Sequence, residues 1–132
     1  MATVIVNGGK GIISGRIRGV GTEPLNGSWG TGAGVAAIAD TALFVEASLA
    51  GAAIGAGART AGTSTQQTTT TTNDTYRVVW TQTASAAFTV TNAGLFDNIT
   101  GGSGALYLKG DFTGIVLAIS DSIQFTANSQ FT

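Results

Sequence analysis

The chain has 132 residues, a net charge of −1 and only 10% charged residues. This length supports one hydrophobic core, and so few cations do not form the concentrated basic face that nucleic-acid binding requires. The chain contains no Cys and no His, which excludes disulfides, Cys/His zinc sites and imidazole-based catalysis. Its 21 threonines and 20 glycines are typical of an all-β sandwich or barrel.

The N-terminal segment is cationic. Lys10, Arg16 and Arg18 are three of the six cations, and all precede the first acid, Glu23. One interpretation is a solvated strand edge whose cations discourage pairing with other chains. The other is an extended arm, within residues 1–28, that packs on the domain or on a neighbouring subunit. The segment lacks a basic region followed by a long apolar run, so we do not expect a secretory signal.

Two glycine- and alanine-rich stretches follow. Residues 19–34 contain the only proline and many glycines, which predicts a long ordered loop or crossing connection that Trp29 pins to the core. The short apolar run at 40–49 fits either a helix or a strand, and we favour one short helix with Asp40 as its N-cap. The apolar window 35–57 is interrupted by two acids, so we do not expect it to cross a membrane.

The middle of the chain predicts a β-hairpin. Tyr76, Val78 and Trp80 alternate with more polar residues, which indicates a half-buried strand. The pair "ND" at 73–74 favours a tight turn. We therefore expect the threonines at 68–72 to form the antiparallel partner strand, at a sheet edge or a subunit contact.

The C-terminal third predicts further strands. Gly94 indicates a bulge or a close backbone approach, and "TGGSG" at 100–104 indicates a hairpin loop. In residues 121–131 the apolar side chains Ile123, Phe125, Ala127 and Phe131 occupy odd positions and every even position is polar, which predicts a terminal strand. Asp74, Asp97 and Asp121 lie at strand boundaries, where an aspartate accepts hydrogen bonds from local amides and begins a turn.

These patterns predict an all-β fold: an antiparallel β-sandwich, jelly-roll-like, with a single domain at 29–132, an extended N-terminal arm and at most one short helix. We expect no enzymatic activity. We also expect no cofactor or metal, because the glycine-rich segments lack the Lys-Ser/Thr pair of a P-loop and the seven acids are scattered along the chain.

The stretch from "TTTTTNDTYRVVW" through "NAGLFD" to "DSIQFT" resembles small β-sandwich modules of tailed-bacteriophage virion proteins. "SWGTGAG" and "ADTALFVEA" are similar to the segment that precedes those modules, so the resemblance covers about residues 29–126. Related modules form capsid decoration (cement) proteins or parts of tail fibres. The lack of heptads, collagen-like tracts and shaft repeats favours a decoration protein.

The resemblance implies a structural virion protein on the head surface, made in the host bacterial cytoplasm. Its partners would be the major capsid protein and itself as a homo-oligomer, a trimer at local threefold positions, with no nucleic acid and no membrane. The candidate capsid or subunit contacts are Lys10, Arg16, Arg18, Trp29 and Thr70. The alternative is a tail-fibre or tail-tip module that binds a host receptor or glycan through Trp29, Tyr76, Trp80 and Tyr107.

Overall fold

A computed structural model describes residues 2–52 and 58–132. The described residues form one α-helix and nine β-strands. In chain order these are β1 (Ala2–Ile5), α1 (Asn7–Ile17), β2 (Asn26–Gly30), β3 (Glu46–Ala47), β4 (Thr60–Ala61), β5 (Thr63–Gln67), β6 (Thr75–Thr83), β7 (Phe88–Phe96), β8 (Leu106–Leu117) and β9 (Ser122–Gln130).

The strands form two antiparallel sheets. The large sheet has the order β1-β8-β7-β2-β3, with β4 also paired to β2, and the small sheet has the order β5-β6-β9. Val78 and Trp80 of the small sheet share one buried cluster with Leu95 and Tyr107 of the large sheet, so the two sheets pack face to face. The prediction of an all-β, sandwich-like single domain is confirmed.

Aromatic rings fill the space between the sheets. Trp80 stacks on Phe125, with ring centroids 5.0 Å apart, and Trp29 meets Phe88 edge-on at 5.0 Å. The Trp29 indole N–H donates to the Ser48 carbonyl at 2.9 Å, which satisfies its one polar group inside the core. The prediction that Trp29 pins its segment to the core is confirmed.

The other face of the large sheet is covered by residues 31–46, which buried polar groups hold in place. Ala93 and Leu108 belong to the cluster between the sheets, so their neighbours Asn92 and Lys109 point the opposite way. The Asn92 amide group donates to and accepts from the backbone of Phe44, at 3.1 Å in each direction.

Lys109 is a wholly buried cation on this face. Its ammonium group donates to Asp40 Oδ2 and to the Ala42 carbonyl, each at 2.9 Å. The same nitrogen lies 3.1 Å from the centroid of the Phe44 ring, a cation–π contact. The charge is therefore compensated on several sides, as a buried ion must be.

A second buried cation joins three segments of the chain. Arg59 forms a bidentate ion pair with Glu46, with distances of 2.7 and 3.0 Å. Its Nη1 donates to the carbonyls of Asn98 at 2.9 Å and Ser103 at 2.6 Å, and the guanidinium carbon lies 3.4 Å from the Phe96 ring centroid. Arg59 thus ties β3 to the β7–β8 hairpin loop.

The loop predicted at 19–34 is partly wrong, because β2 lies inside it. All five residues of β2 are buried, and the strand lies between β7 and β3 in the large sheet. A Cβ on Gly27 would overlap the indole of Trp80, so glycine is what allows the small sheet to approach β2 this closely. Strand interiors disfavour glycine, which is why the sequence "NGSWG" does not predict a central strand.

The short helix was predicted in the wrong place. Residues 40–49 form turns and β3, and the cationic segment predicted as a strand edge or extended arm forms α1 instead. Four of the helix's eleven residues are glycines and its N-cap makes no side-chain hydrogen bond, so local sequence favours it little. Packing supports it: Ile12 and Ile13 lie against the core, and Gly9 is in close contact with the Tyr107 carbonyl.

The first described residues also belong to the chain's own sheet. β1 pairs antiparallel with β8, from Ala2 opposite Asp111 to Ile5 opposite Leu108. Within this chain the start of the predicted arm is therefore a strand and a helix of the sandwich. An exchange of this segment between subunits stays a prediction.

The threonine run at 68–72 is not a strand. The predicted hairpin exists, but the prediction of which residues form its first strand is wrong. β5, Thr63–Gln67, is the partner of β6, and residues 68–74 connect the two strands. Asn73 has a positive φ of 60°, so the predicted turn at 73–74 is confirmed.

The C-terminal predictions are largely confirmed. Residues 97–105 connect β7 to β8 as a hairpin loop, and Gly94 is in close backbone contact with the Leu108 carbonyl. In β9 the odd positions are more buried than the even ones, whereas Phe131 lies beyond the strand and is exposed.

No helix in the described ranges, 2–52 and 58–132, is long and apolar enough to cross a membrane. Of the apolar window 35–57, residues 53–57 lie outside the described residues.

Gly27→Ala tests the packing of β2 on Trp80. Because an added methyl group overlaps the indole, we expect a loss of about 1–3 kcal/mol from overpacking. Gly11→Ala is the matched control: nothing lies within 4 Å of its added Cβ, and the helix should gain about 1 kcal/mol. Urea denaturation measures both changes. Equal stability of the two variants would contradict the close approach.

Arg59→Met tests the buried ion pair. The substitution leaves the Glu46 carboxylate buried without its partner, so we expect a loss of about 3–5 kcal/mol. Arg77→Met is the control, because Arg77 makes one exposed side-chain hydrogen bond, to Asn128, and its loss should cost less than about 1 kcal/mol. Thermal and urea unfolding compare the two. A loss at Arg59 no larger than at Arg77 would show that Glu46 does not depend on Arg59 for the compensation of its buried charge.

Candidate functional site

Among the residues that the structure describes, the most exposed large apolar side chain lies among the N-terminal cations. Ile17 is 84% exposed, Val20 is 49% exposed, and Lys10, Arg16 and Arg18 are all exposed. We call these five residues the α1 face. It combines positive charge with uncovered apolar surface, the two properties that favour contact with an acidic, partly apolar partner.

Hydrogen bonds at the C-terminal end of α1 fix the conformation of this surface. The amides of Gly19 and Val20 donate to the carbonyls of Arg16 and Gly15, at 3.0 and 2.9 Å, which closes the helix. Arg16 Nη1 donates to the Gly21 carbonyl at 2.8 Å, and its charge lies at the helix C-terminus, where the helix dipole favours a cation. Arg18 follows as the C-cap residue.

A groove of about 510 Å³ borders the α1 face. It lies between α1, the 23–24 segment, the small sheet and the end of the chain. Its apolar lining includes Ile13, Ile17, Tyr76 and Phe131, and its charged lining is Arg16 and Glu23.

Two tyrosines form the base of the groove. The Tyr76 hydroxyl donates to Glu23 Oε1 at 3.1 Å and is 3.3 Å from the Pro24 carbonyl. Burial, reinforced by the Glu23 carboxylate, raises the pKa of Tyr76, and burial also raises the pKa of Tyr107. Both phenols therefore stay neutral and act here as packing and hydrogen-bonding groups.

The threonine loop is organised by one carboxylate. Asp74 accepts hydrogen bonds from the amides of Thr69, Thr70 and Thr71 at 2.8 to 2.9 Å, and from the Gln130 side chain at 3.0 Å. The Thr71 amide, followed by those of Thr69 and Thr70, holds the pKa of Asp74 well below its usual value of 3.8. Asp74 accepts hydrogen bonds from local amides as predicted, but it ends the loop rather than beginning it, because β6 starts at Thr75. These amide contacts explain why the run curls into a loop.

The other predicted aspartate turns are present as well. Asp97 accepts from the Ala105 amide at 2.7 Å and so closes the β7–β8 loop. Asp121 accepts from the Ala118 amide at 2.8 Å between β8 and β9.

The structure brings together three of the five predicted contact residues. Lys10, Arg16 and Arg18 share the α1 face, whereas Thr70 is exposed on the separate threonine loop. The prediction of Trp29 as a contact residue is wrong. Its side chain is wholly buried between the sheets, so it cannot contact a capsid or subunit in this fold. Trp29 is buried because β2 is a central strand rather than a surface loop.

The proposed aromatic platforms for a glycan are mostly inside the protein. Trp29, Trp80 and Tyr107 are buried, and of the four only Tyr76, which is half-buried, offers partly exposed ring surface to the groove. Sequence reasoning missed Ile17 and the groove. Both depend on α1, and the glycine-rich sequence of that segment gives little helical signal.

No group of three or more Cys, His, Asp or Glu side chains suited to a metal ion occurs in the described part of the chain. No protein-family model, curated protein or solved structure matches the chain.

Asp74→Asn tests the carboxylate in the threonine loop. A carboxyl whose pKa is lowered on folding stabilises the folded state above its unfolded pKa, and this contribution disappears as the pH falls through the lower folded pKa. We expect the variant to have a lower urea midpoint at neutral pH and a shallower decline of that midpoint below about pH 4.

Thr70→Ala is the control for Asp74→Asn. It removes a hydroxyl that accepts from Gln130 but keeps the Thr70 amide and the Asp74 carboxylate, so the acid dependence should remain. If Asp74→Asn left both the midpoint and its pH dependence unchanged, the carboxylate would not be organising this loop.

Proposed function

We propose that this protein is a non-enzymatic, structural virion protein that decorates the outer surface of a phage head. In this proposal the α1 face binds the major capsid protein and stabilises contacts between capsomers. The observation that carries it is the exposed Ile17 between Arg16 and Arg18, beside Val20, on a helix anchored to the sandwich. The sequence resemblance to phage decoration modules supplies the identity of the partner.

The chemistry of the α1 face suits this role. Apolar side chains such as Ile17 gain free energy when a partner covers them, at roughly 25 cal/mol per Å². The cations would orient the protein on an acidic surface and raise the rate of association. Each contact is small, but a protein that engages the shell through several linked copies multiplies weak contacts into stable attachment. The homotrimer implied by the resemblance would provide that linkage.

A tail-fibre or tail-tip module remains the alternative. The groove beside α1 favours it, because Tyr76 and Phe131 offer ring surface and Arg16 and Glu23 offer polar partners for a sugar. It is the weaker candidate, since Trp29 and Trp80 are buried in the core.

Arg18→Glu tests the contact with the capsid. Arg18 is exposed, and charge reversal there should lower affinity for undecorated heads by about tenfold, or about 1.4 kcal/mol. Arg77→Glu is the matched control, with the same charge change on β6. Co-sedimentation with heads measures both. Equal binding by the two variants would contradict a role of the α1 face.

Point substitution is preferable to removal of residues 1–18. β1 pairs with β8 and Val6 is wholly buried in a core cluster, so truncation would damage the fold itself.

The copy number in purified phage particles separates the two candidate functions. Quantitative mass spectrometry should find this chain in proportion to the capsid protein if it decorates the head. A few copies per particle would favour the tail, and its absence from particles would overturn both candidates.

A further inference from the structure

β9 is a long sheet edge with an open side. It pairs with β6 along nine consecutive positions, from Ser122 opposite Thr83 to Gln130 opposite Thr75. No strand of the described residues pairs with its other side, so β9 ends the small sheet. Its outward backbone N–H and C=O groups are therefore available to another strand.

β9 lacks the features that usually protect such an edge. Its sequence, "SIQFTANSQ", has no charged residue and no proline, and its register with β6 has no bulge. Native edge strands are normally short, charged, bulged or covered, because a long regular edge recruits other strands. By contrast, the edge strands β1, β3 and β5 have only two to five residues.

The core beneath β9 is also incompletely covered. Ile123, Phe125 and Ala127 point inward from this strand, yet all three remain only partly buried. Phe112 of the large sheet is likewise partly buried, with its ring centroid 6.3 Å from that of Phe125. An added strand next to β9 would extend the small sheet over these side chains.

We propose that the β9 edge binds a second copy of this chain, with the two β9 strands antiparallel about a two-fold axis at Thr126. This register places Ser122 opposite Gln130 and Gln124 opposite Asn128, so all nine residues of each strand are paired. The two-fold axis is perpendicular to the sheet, so the inward faces of the two copies lie on the same side of the joined sheet. The result is a continuous six-stranded sheet built from two small sheets.

A second copy suits this edge because the strand is compatible with itself. Identical strands that carry charge place like charges across a two-fold axis, which is destabilising. β9 carries none, and its exposed positions are Ser, Gln, Thr and Asn, which form favourable cross-strand hydrogen bonds. This contact does not depend on the proposed capsid role, and it is distinct from the threefold contact that the resemblance implies.

Sedimentation equilibrium of the purified chain tests the pairing. We expect the mass to rise with concentration from 13.2 kDa towards twice that value. Thr126→Lys should hold the mass at one chain, because it places two lysines across the axis. Thr81→Lys is the matched control: Thr81 is also exposed but lies on the central strand β6, so the dimer should persist.

Mixing opposite charges gives a stricter test. Thr126→Lys and Thr126→Glu should each be monomeric alone and should dimerise when combined, since lysine then faces glutamate. Circular dichroism of each variant confirms that it is folded.

A cysteine placed at the axis tests the pairing by cross-linking the dimer instead of weakening it. The chain has no cysteine, and directly opposed residues on antiparallel strands have Cα atoms about 4.5–5.5 Å apart, within disulfide range. Under mild oxidation Thr126→Cys should form a disulfide-linked dimer, and Thr81→Cys should not.

Several results would overturn the proposal. One is a wild-type mass that stays at one chain over the whole concentration range. Another is a mass of three chains that Thr126→Lys does not change, which would support the threefold contact instead. Equal cross-linking of the two cysteine variants would also exclude β9 as the interface.

Discussion

The packing of Trp80 against β2 and Phe125 is the contact on which the sandwich depends. The indole stacks on Phe125 within the small sheet and lies directly against Gly27 of the large sheet. Trp29, two residues further along β2, meets Phe125 edge-on at 6.5 Å, so the three rings form one connected group between the sheets. This group sets how closely the sheets approach, and with it the position of every strand that pairs with β2 or β6.

The opposite side of the large sheet is held by polar rather than aromatic contacts. Lys109 and Arg59 are buried cations whose partners come from residues 31–46 and from the hairpin loop at 97–105. Such groups contribute little net stability compared with apolar packing, but they tolerate few alternative arrangements. They therefore fix long irregular segments, which have no ladder of their own, onto a sheet face.

The two proposed interaction surfaces belong to different parts of the sandwich. The α1 face extends from a helix that packs on β8 of the large sheet, whereas the β9 edge belongs to the small sheet. A dimer through β9 would therefore present two α1 faces. Two linked copies would bind a repeating surface more tightly than one, by the same effective-concentration argument that applies to a trimer.

The sequence by itself determined the fold class, the strands with clear alternation and the turns that contain aspartate and glycine. Those features depend on neighbours along the chain: the period of two in β6 and β9, the turn at 73–74, and the local amides that Asp74, Asp97 and Asp121 accept from. Only the tertiary structure decided that "NGSWG" is a central strand, that the glycine-rich N-terminal segment is helical, and that the five threonines form a loop. Two of these depend on contacts distant in sequence, Trp80 against Gly27 of β2 and the core against Ile12 and Ile13. At the threonines, Gln130 of β9 bonds both Thr70 and Asp74 and so helps to hold a loop against the strand propensity of threonine. The α1 face and the open side of β9 follow from those contacts. The positions of the cations could therefore be read from the sequence, but the exposed apolar surface among them could not.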